Sequence, residues 1–148
     1  MIQLENADIF LTDVERALNE LDTKHKGKQS ERFLTSHLWM IDHLDRNIIV
    51  KLVNLKENMA FVRDKNNDLP RVHFDTIMKF SDDIILVMQD MIDYYKYKPS
   101  YLDVDLKWQQ NLPRIMEKFK SIKNRHSLIK SQIKSKKTQK EEQDNWFR

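Results

Sequence analysis

The sequence predicts an all-α fold: an antiparallel four-helix-type bundle with a short extra helix before a long basic C-terminal helix. Apolar residues return every three or four positions in four separate segments, which keeps one stripe of each helix against a neighbour. One glycine (Gly27) and three prolines (Pro70, Pro99, Pro113) leave too few turn residues for a many-stranded sheet or a Rossmann unit. The connections implied between the segments are about five residues long, which suits antiparallel neighbours crossing near 20°.

The first segment carries Ala7, Leu11, Val14, Leu18 and Leu21, with Phe10 and Ala17 widening the stripe. Thr12 followed by Glu15 fits a capping box, so this helix is expected to start either at Thr12 or, with an extension, nearer Leu4. Thr23 to Gln29, polar and holding Gly27, reads as the first connection. Ser30 is a plausible N-cap for the second helix, whose seam reads Leu34, Leu38, Ile41, Asp45, Ile48, Leu52, Leu55, Met59 and Val62. Asp45 is the one polar residue in that strict four-three alternation and is expected to meet a cation of a neighbouring helix. Asp64 to Asp68 ends the helix.

Leu69 and Pro70 open the third helix, because proline lacks a donor that the first turn would leave unsatisfied anyway. Its seam is Phe74, Met78, Ser81, Ile85, Met88, Ile92 and Tyr95, and a second row of Ile77, Ile84 and Met91 predicts cover on two sides. Pro99 closes it. Tyr101 to Gln110 reads as a short amphipathic helix that breaks off before Asn111 caps a new one with Pro113 in its first turn. Along the last helix, Asn111 to Lys140, the seam is Leu112, Ile115, Phe119, Ile122, His126, Ile129 and Ile133. Residues 1–134 are therefore expected to form the bundle, and 135–148 an exposed charged tail that is a candidate for disorder.

A chain of 148 residues is one domain by length and long enough to bury a core. The charged fraction of 33% and mean hydropathy of −0.71 would suit a disordered chain, but the 40% hydrophobic residues fall at helical spacing. The absence of cysteine removes disulfides, thiolate zinc sites and thiol nucleophiles. The first ten residues lack a basic region followed by an apolar run, and no stretch reaches the roughly 20 apolar residues that span a bilayer. A cytoplasmic location is the expectation.

The net charge of +3 hides an asymmetry. Residues 1–117 hold 16 Lys+Arg against 20 Asp+Glu, a net of −4, whereas 118–140 hold nine cations and no acid. Those nine are Lys118, Lys120, Lys123, Arg125, Lys130, Lys134, Lys136, Lys137 and Lys140, the candidate contacts for an acidic protein or a nucleic acid. Eight are lysines, which hold phosphates as point charges and read bases poorly, so nucleic-acid binding would be independent of sequence. Trp108, Trp146 and Phe147, placed in a connector and a charged tail, are candidate partner anchors.

Motifs for chemistry are thin. The five histidines (His25, His37, His43, His73, His126) offer no pair at i, i+4 and no helix-borne metal spacing, so neither a metal nor a cofactor is expected. His126, in the seam of the basic helix, is read as a neutral imidazole held by one hydrogen bond or, more sharply, as a pH-sensitive contact. Asp42 and Arg46 fit an i, i+4 surface pair. Asp75, Asp82, Asp83, Asp90 and Asp93 form an acidic row that could complement the basic helix; without a glycine-rich loop it lacks phosphate-gripping groups for phosphoryl transfer. The sequence therefore points to a noncatalytic interaction module that docks a protein partner or a second copy through helix faces, with no small-molecule substrate. The alternative is a sequence-nonspecific nucleic-acid-binding accessory protein using Lys118 to Lys140.

Overall fold

The computed structural model describes the backbone of residues 2–26, 37–66, 68–97 and 101–146, and the side chains of 4–23, 38–66, 68–97 and 106–134. Among the described residues there are four long helices packed on one another and no strand, so the protein is an all-α bundle. Helix α1 is Ile2–Lys26; α2 runs as His37–Leu44, a π-helical turn Asp45–Ile49 and Val50–Lys65; α3 is Arg71–Lys96; α4 is Tyr101–Trp146. Neighbours are antiparallel, because rising numbers on one helix meet falling numbers on the next. Asp13 and Ala17 of α1 meet Lys51 and His43 of α2. Lys56 and Arg63 meet Asp82 and Asp75 of α3. Asp83 and Tyr95 meet Lys118 and Trp108 of α4, and Lys123 and Lys130 return to Glu15 and Asp8 of α1, closing a ring of four. No helix among the described residues is long and apolar enough to cross a membrane.

The predicted seams of α1, α3 and α4 lie in the core, with Met78, Ile92 and Ile133 half-buried at its edge. Ala7, Leu11, Val14, Leu18 and Leu21 are buried on α1; Phe74, Ile77, Ser81, Ile84, Ile85, Met88, Met91 and Tyr95 on α3; Leu112, Ile115, Phe119, Ile122, His126 and Ile129 on α4. Side chains of this size, withdrawn from water, contribute on the order of 1.5–3 kcal/mol each, and this burial is what joins the four helices. The start of α1 is earlier than Thr12. The Thr12 hydroxyl donates to the Asp8 carbonyl at 2.9 Å, an i−4 bond inside a helix, so it is not a cap. Pro70 stands at the N-cap of α3 with φ −58° and ψ 124°, one residue ahead of the first helical position. The first connection, Ser30 and Leu34, and the segment around Pro99 lie outside the described residues.

Two expectations fail, each for a physical reason. The seam of α2 is as read from Ile48 to Val62, but not upstream. Leu38 is 85% exposed, Ile41 half-buried and Asp45 exposed, while Met40, His43 and Leu44 are buried. The π turn, closed by the Val50 N–H on the Asp45 carbonyl, spends one residue more per turn than an α-helix. Everything N-terminal to it is thereby shifted by about one position, so that Met40 and Leu44 replace Ile41 and Asp45 in the stripe. An uninterrupted α-helix would carry the Asp45 carboxylate into the core at a cost of several kcal/mol; the extra residue turns it out to water.

The second failure is the break before Asn111: Tyr101–Trp146 is one helix with Pro113 inside it. Proline there removes a helical hydrogen bond and crowds the carbonyl four residues back, about 3 kcal/mol of cost. Trp108, Leu112 and Ile115 are buried on both sides of it, and keeping all three on one face offsets that cost, while Pro113 itself faces solvent. Pro113→Ala is accordingly expected to stabilise the protein by about 1–3 kcal/mol in urea denaturation. An unchanged midpoint would show that the helix already absorbs its proline without cost.

Candidate functional site

At least four of the nine cations of the basic block are spent on the bundle itself. Lys118 Nζ lies 2.9 Å from Asp83 and 5.1 Å from the centre of the Phe80 ring. Lys123 pairs with Glu15 at 2.9 Å, Lys130 with Asp8 at 3.0 Å, and Arg125 donates to His73 Nδ1 at 3.0 Å. Lys120 and Lys134 are exposed. The acidic row of α3 is shared between its two neighbours: Asp83 and Asp90 face Lys118 and Lys107 of α4, Asp75 and Asp82 face Arg63 and Lys56 of α2. Exposed pairs of this kind contribute no more than about 1 kcal/mol each. What they achieve is to set helix register and to quench, within the molecule, charge that the sequence displays as two-sided.

Beyond Lys130 the situation changes because α4 outruns its neighbours. The Lys130–Asp8 pair places Ile2, the first residue of α1, level with about residue 136 of α4, and the Arg125–His73 contact places the start of α3 level with about residue 127. The backbone of α4 continues to Trp146, about 15 Å past the end of α1 at 1.5 Å per residue. Among the described residues no helix flanks that extension. The side chains of Lys136, Lys137, Lys140 and Trp146, and all of Phe147, lie outside the described residues, as does the expected behaviour of 135–148 as a tail.

Where α4 meets α1, Asp8 accepts from His126 Nε2 at 2.7 Å and from Lys130 at 3.0 Å. Burial pushes the Asp8 carboxyl up, but the hydrogen bonds and positive charge of His126 and Lys130 outweigh it and hold the group below its ordinary 3.8. His126 is buried and its Nδ1 has no hydrogen-bond partner among the described residues. A carboxylate whose folded value is depressed contributes stability that is complete above its unfolded value and lost as pH falls through the folded one. Asp8→Asn is therefore expected to flatten the acid limb of stability below about pH 4, read as urea midpoints from pH 6 to 2. An unchanged acid limb would exclude Asp8 as a contributor.

A second polar feature lies beside the π turn. Asp13, Arg16, Ala17 and Glu20 of α1 and His43, Asn47 and Lys51 of α2 line an open groove of about 240 Å³. At its floor, His43 Nε2 is 3.1 Å from the Ala17 carbonyl, which can only accept, so Nε2 carries the hydrogen. Nδ1 then accepts from the Asn47 amide at 3.0 Å, and the ring stacks on Trp39 at 4.7 Å. Both ring nitrogens are occupied, and Lys51 pairs with Asp13 at 3.3 Å. The arrangement fastens α1 to α2 and leaves His43 without a free nitrogen for proton transfer or for a metal. Among the described residues, no three His, Asp or Glu side chains converge as a metal site would require.

Of the expected anchors, Trp108 is corrected. It is 1% exposed and donates from Nε1 to the Tyr95 hydroxyl at 2.9 Å, in the core between α3 and α4. The expectation treated residues 101–110 as a connector, whereas a continuous helix puts Trp108 one turn before Leu112 on the buried face. Asp45 is corrected too, being exposed in the π turn and not a seam carboxylate facing a neighbour. Asp42 and Arg46 form the i, i+4 pair at 2.9 Å. Asp8, Asn47 and Lys51 were not singled out from the sequence, and Glu15 only as half of a capping box; the pairings of Asp8, Glu15 and Lys51 span helices, so nothing local marks them. Compared with protein-family models, with curated proteins and with solved structures, the chain matches none.

Proposed function

We propose that this protein is a noncatalytic helical interaction module, in which the lysine-rich end of α4 steers an acidic protein partner onto helix faces. The observation that carries this reading is the length of α4. Lys118, Lys123, Arg125 and Lys130 are engaged by Asp83, Glu15, His73 and Asp8, while its backbone runs on past the described ends of both neighbouring helices. The overhanging stretch carries Lys136, Lys137 and Lys140, followed by Glu141, Glu142 and Asp144, so its cations cluster on the bundle side of its acids. Three cations grouped ahead of those acids, on a stretch with no flanking helix among the described residues, give a local positive field that speeds encounter with acidic surfaces and weakens with salt. The commitment of both His43 nitrogens and the pairing of Asp13 with Lys51 favour a structural role for the groove, in keeping with a module that binds and does not react.

The test is titration of labelled poly-glutamate and of nonspecific DNA and RNA at low and at physiological salt. Each is titrated against the full chain and a triple variant with Lys136, Lys137 and Lys140 changed to glutamine. Binding of the acidic peptide should fall roughly tenfold in the variant and again with salt. If the nucleic acids bind tighter than the peptide, with the steeper salt slope, the nucleic-acid alternative replaces this reading. If none of the three binds at low salt, the lysines do not steer a partner.

A further inference from the structure

The outward face of α2 carries Val50, Val53, Glu57 and Phe61, which three- and four-residue steps place in one stripe. Val50 is 43% exposed, Val53 38% and Phe61 42%. Of the cations that border the stripe, Lys51 and Lys56 are drawn aside by the bundle, to Asp13 of α1 and Asp82 of α3, while Lys65 lies over the Phe61 ring at 4.4 Å and must swing off it for that ring to be covered. Lengthwise the stripe is bounded by opposite charges, Arg46 before it and Asp64 after it, with side chains 77% and 61% exposed.

That order reads as its own complement when reversed. Laid antiparallel on a second α2 with the crossing between Val53 and Glu57, Arg46 of each copy meets Asp64 of the other, and Val50 of each meets Phe61 of the other. A two-fold interface requires this self-matching. A parallel pairing would set Arg46 on Arg46 and Asp64 on Asp64. Resting on the reading of this protein as an interaction module, we propose that a second copy of the chain docks antiparallel on this face of α2. Arg46 keeps Asp42 while it engages Asp64 of the second copy, since a guanidinium offers five donors. Asp64 is held only at its exposed surface by Arg63 and Arg71, at 3.1 and 3.7 Å, and such pairs exchange at small cost. The two Glu57 side chains are offset by about 6 Å along the axis, each opposite Val53. That spares them direct repulsion, yet an acid at the centre keeps the dimer weak, in the micromolar range.

The experiment is sedimentation equilibrium of the full chain from about 1 to 300 µM, with circular dichroism to show that each variant is folded. The expected result is a monomer–dimer equilibrium within that range, weakened at least about tenfold by Phe61→Asp. Arg46→Glu and Asp64→Lys should each weaken it, and the two together should restore it, because the charge pair is re-formed with its signs exchanged. A monomer at every concentration overturns the proposal, as does a dimer indifferent to Phe61→Asp or a double charge swap no better than the single changes. Loss of the dimer with acidic-peptide binding retained would leave the steering role of α4 standing; a dimer without peptide binding would do the reverse.

Discussion

Trp108→Ala is expected to lower the unfolding free energy by about 3–5 kcal/mol. The indole is among the largest fully buried side chains and sits between α3 and α4 with its Nε1–H on the Tyr95 hydroxyl. Truncation removes apolar burial, leaves a cavity that helices braced by Leu112 and Ile115 cannot close, and deprives a buried hydroxyl of its donor. Burial already raises the Tyr95 phenol above its ordinary pKa, an effect the Trp108 hydrogen bond partly offsets. Trp108→Phe should keep most of the volume and lose the hydrogen bond, costing about 1–3 kcal/mol. A double-mutant cycle with Tyr95→Phe should return a coupling of about 1 kcal/mol. A loss below 1 kcal/mol for Trp108→Ala in urea denaturation would return the indole to the surface, where a partner could use it.

His43→Ala is expected to cost about 2–4 kcal/mol. The imidazole fills the space between α1 and the π turn, donates to the Ala17 carbonyl, accepts from Asn47 and stacks on Trp39. Ala17 carries only a methyl group, too small to hold the ring away from that carbonyl, and it is buried. Ala17→Leu should therefore displace the imidazole and cost a further about 1–3 kcal/mol by overpacking. His43→Phe should retain the stack and lose both hydrogen bonds, which separates packing from polar contributions in the same denaturation experiment. Should His43→Phe match the wild type, the hydrogen bonds would be dispensable and the groove would owe its form to ring volume alone.

Three of the four seams were legible in the sequence because a 3.6-residue period is a property of one helix and its own axis. Ile115, Phe119, Ile122 and Ile129, for instance, must share a face whatever lies opposite them. The upstream half of α2 was not legible, since a single π turn displaces the pattern by one residue and its hydrogen bonds leave no mark on hydrophobic spacing. Pro113 misled for a related reason. Its local cost is real, but buried Trp108, Leu112 and Ile115 on either side outweigh it, and that comparison needs the core to be known. The candidate site was read least well: lysines that look available along α4 are answered by Asp8 and Glu15, more than a hundred residues earlier.

The linear order of residues was enough to establish an all-helical chain, the buried stripes of α1, α3 and α4, and a charge imbalance toward the C-terminal end, because periodicity and composition are local quantities. Closure of the ring of helices settled which charges are neutralised, that Trp108 belongs to the core, that Asp45 faces water and that α4 extends past its neighbours. Those outcomes depend on distances between segments remote in sequence, and such distances exist only once the helices have packed.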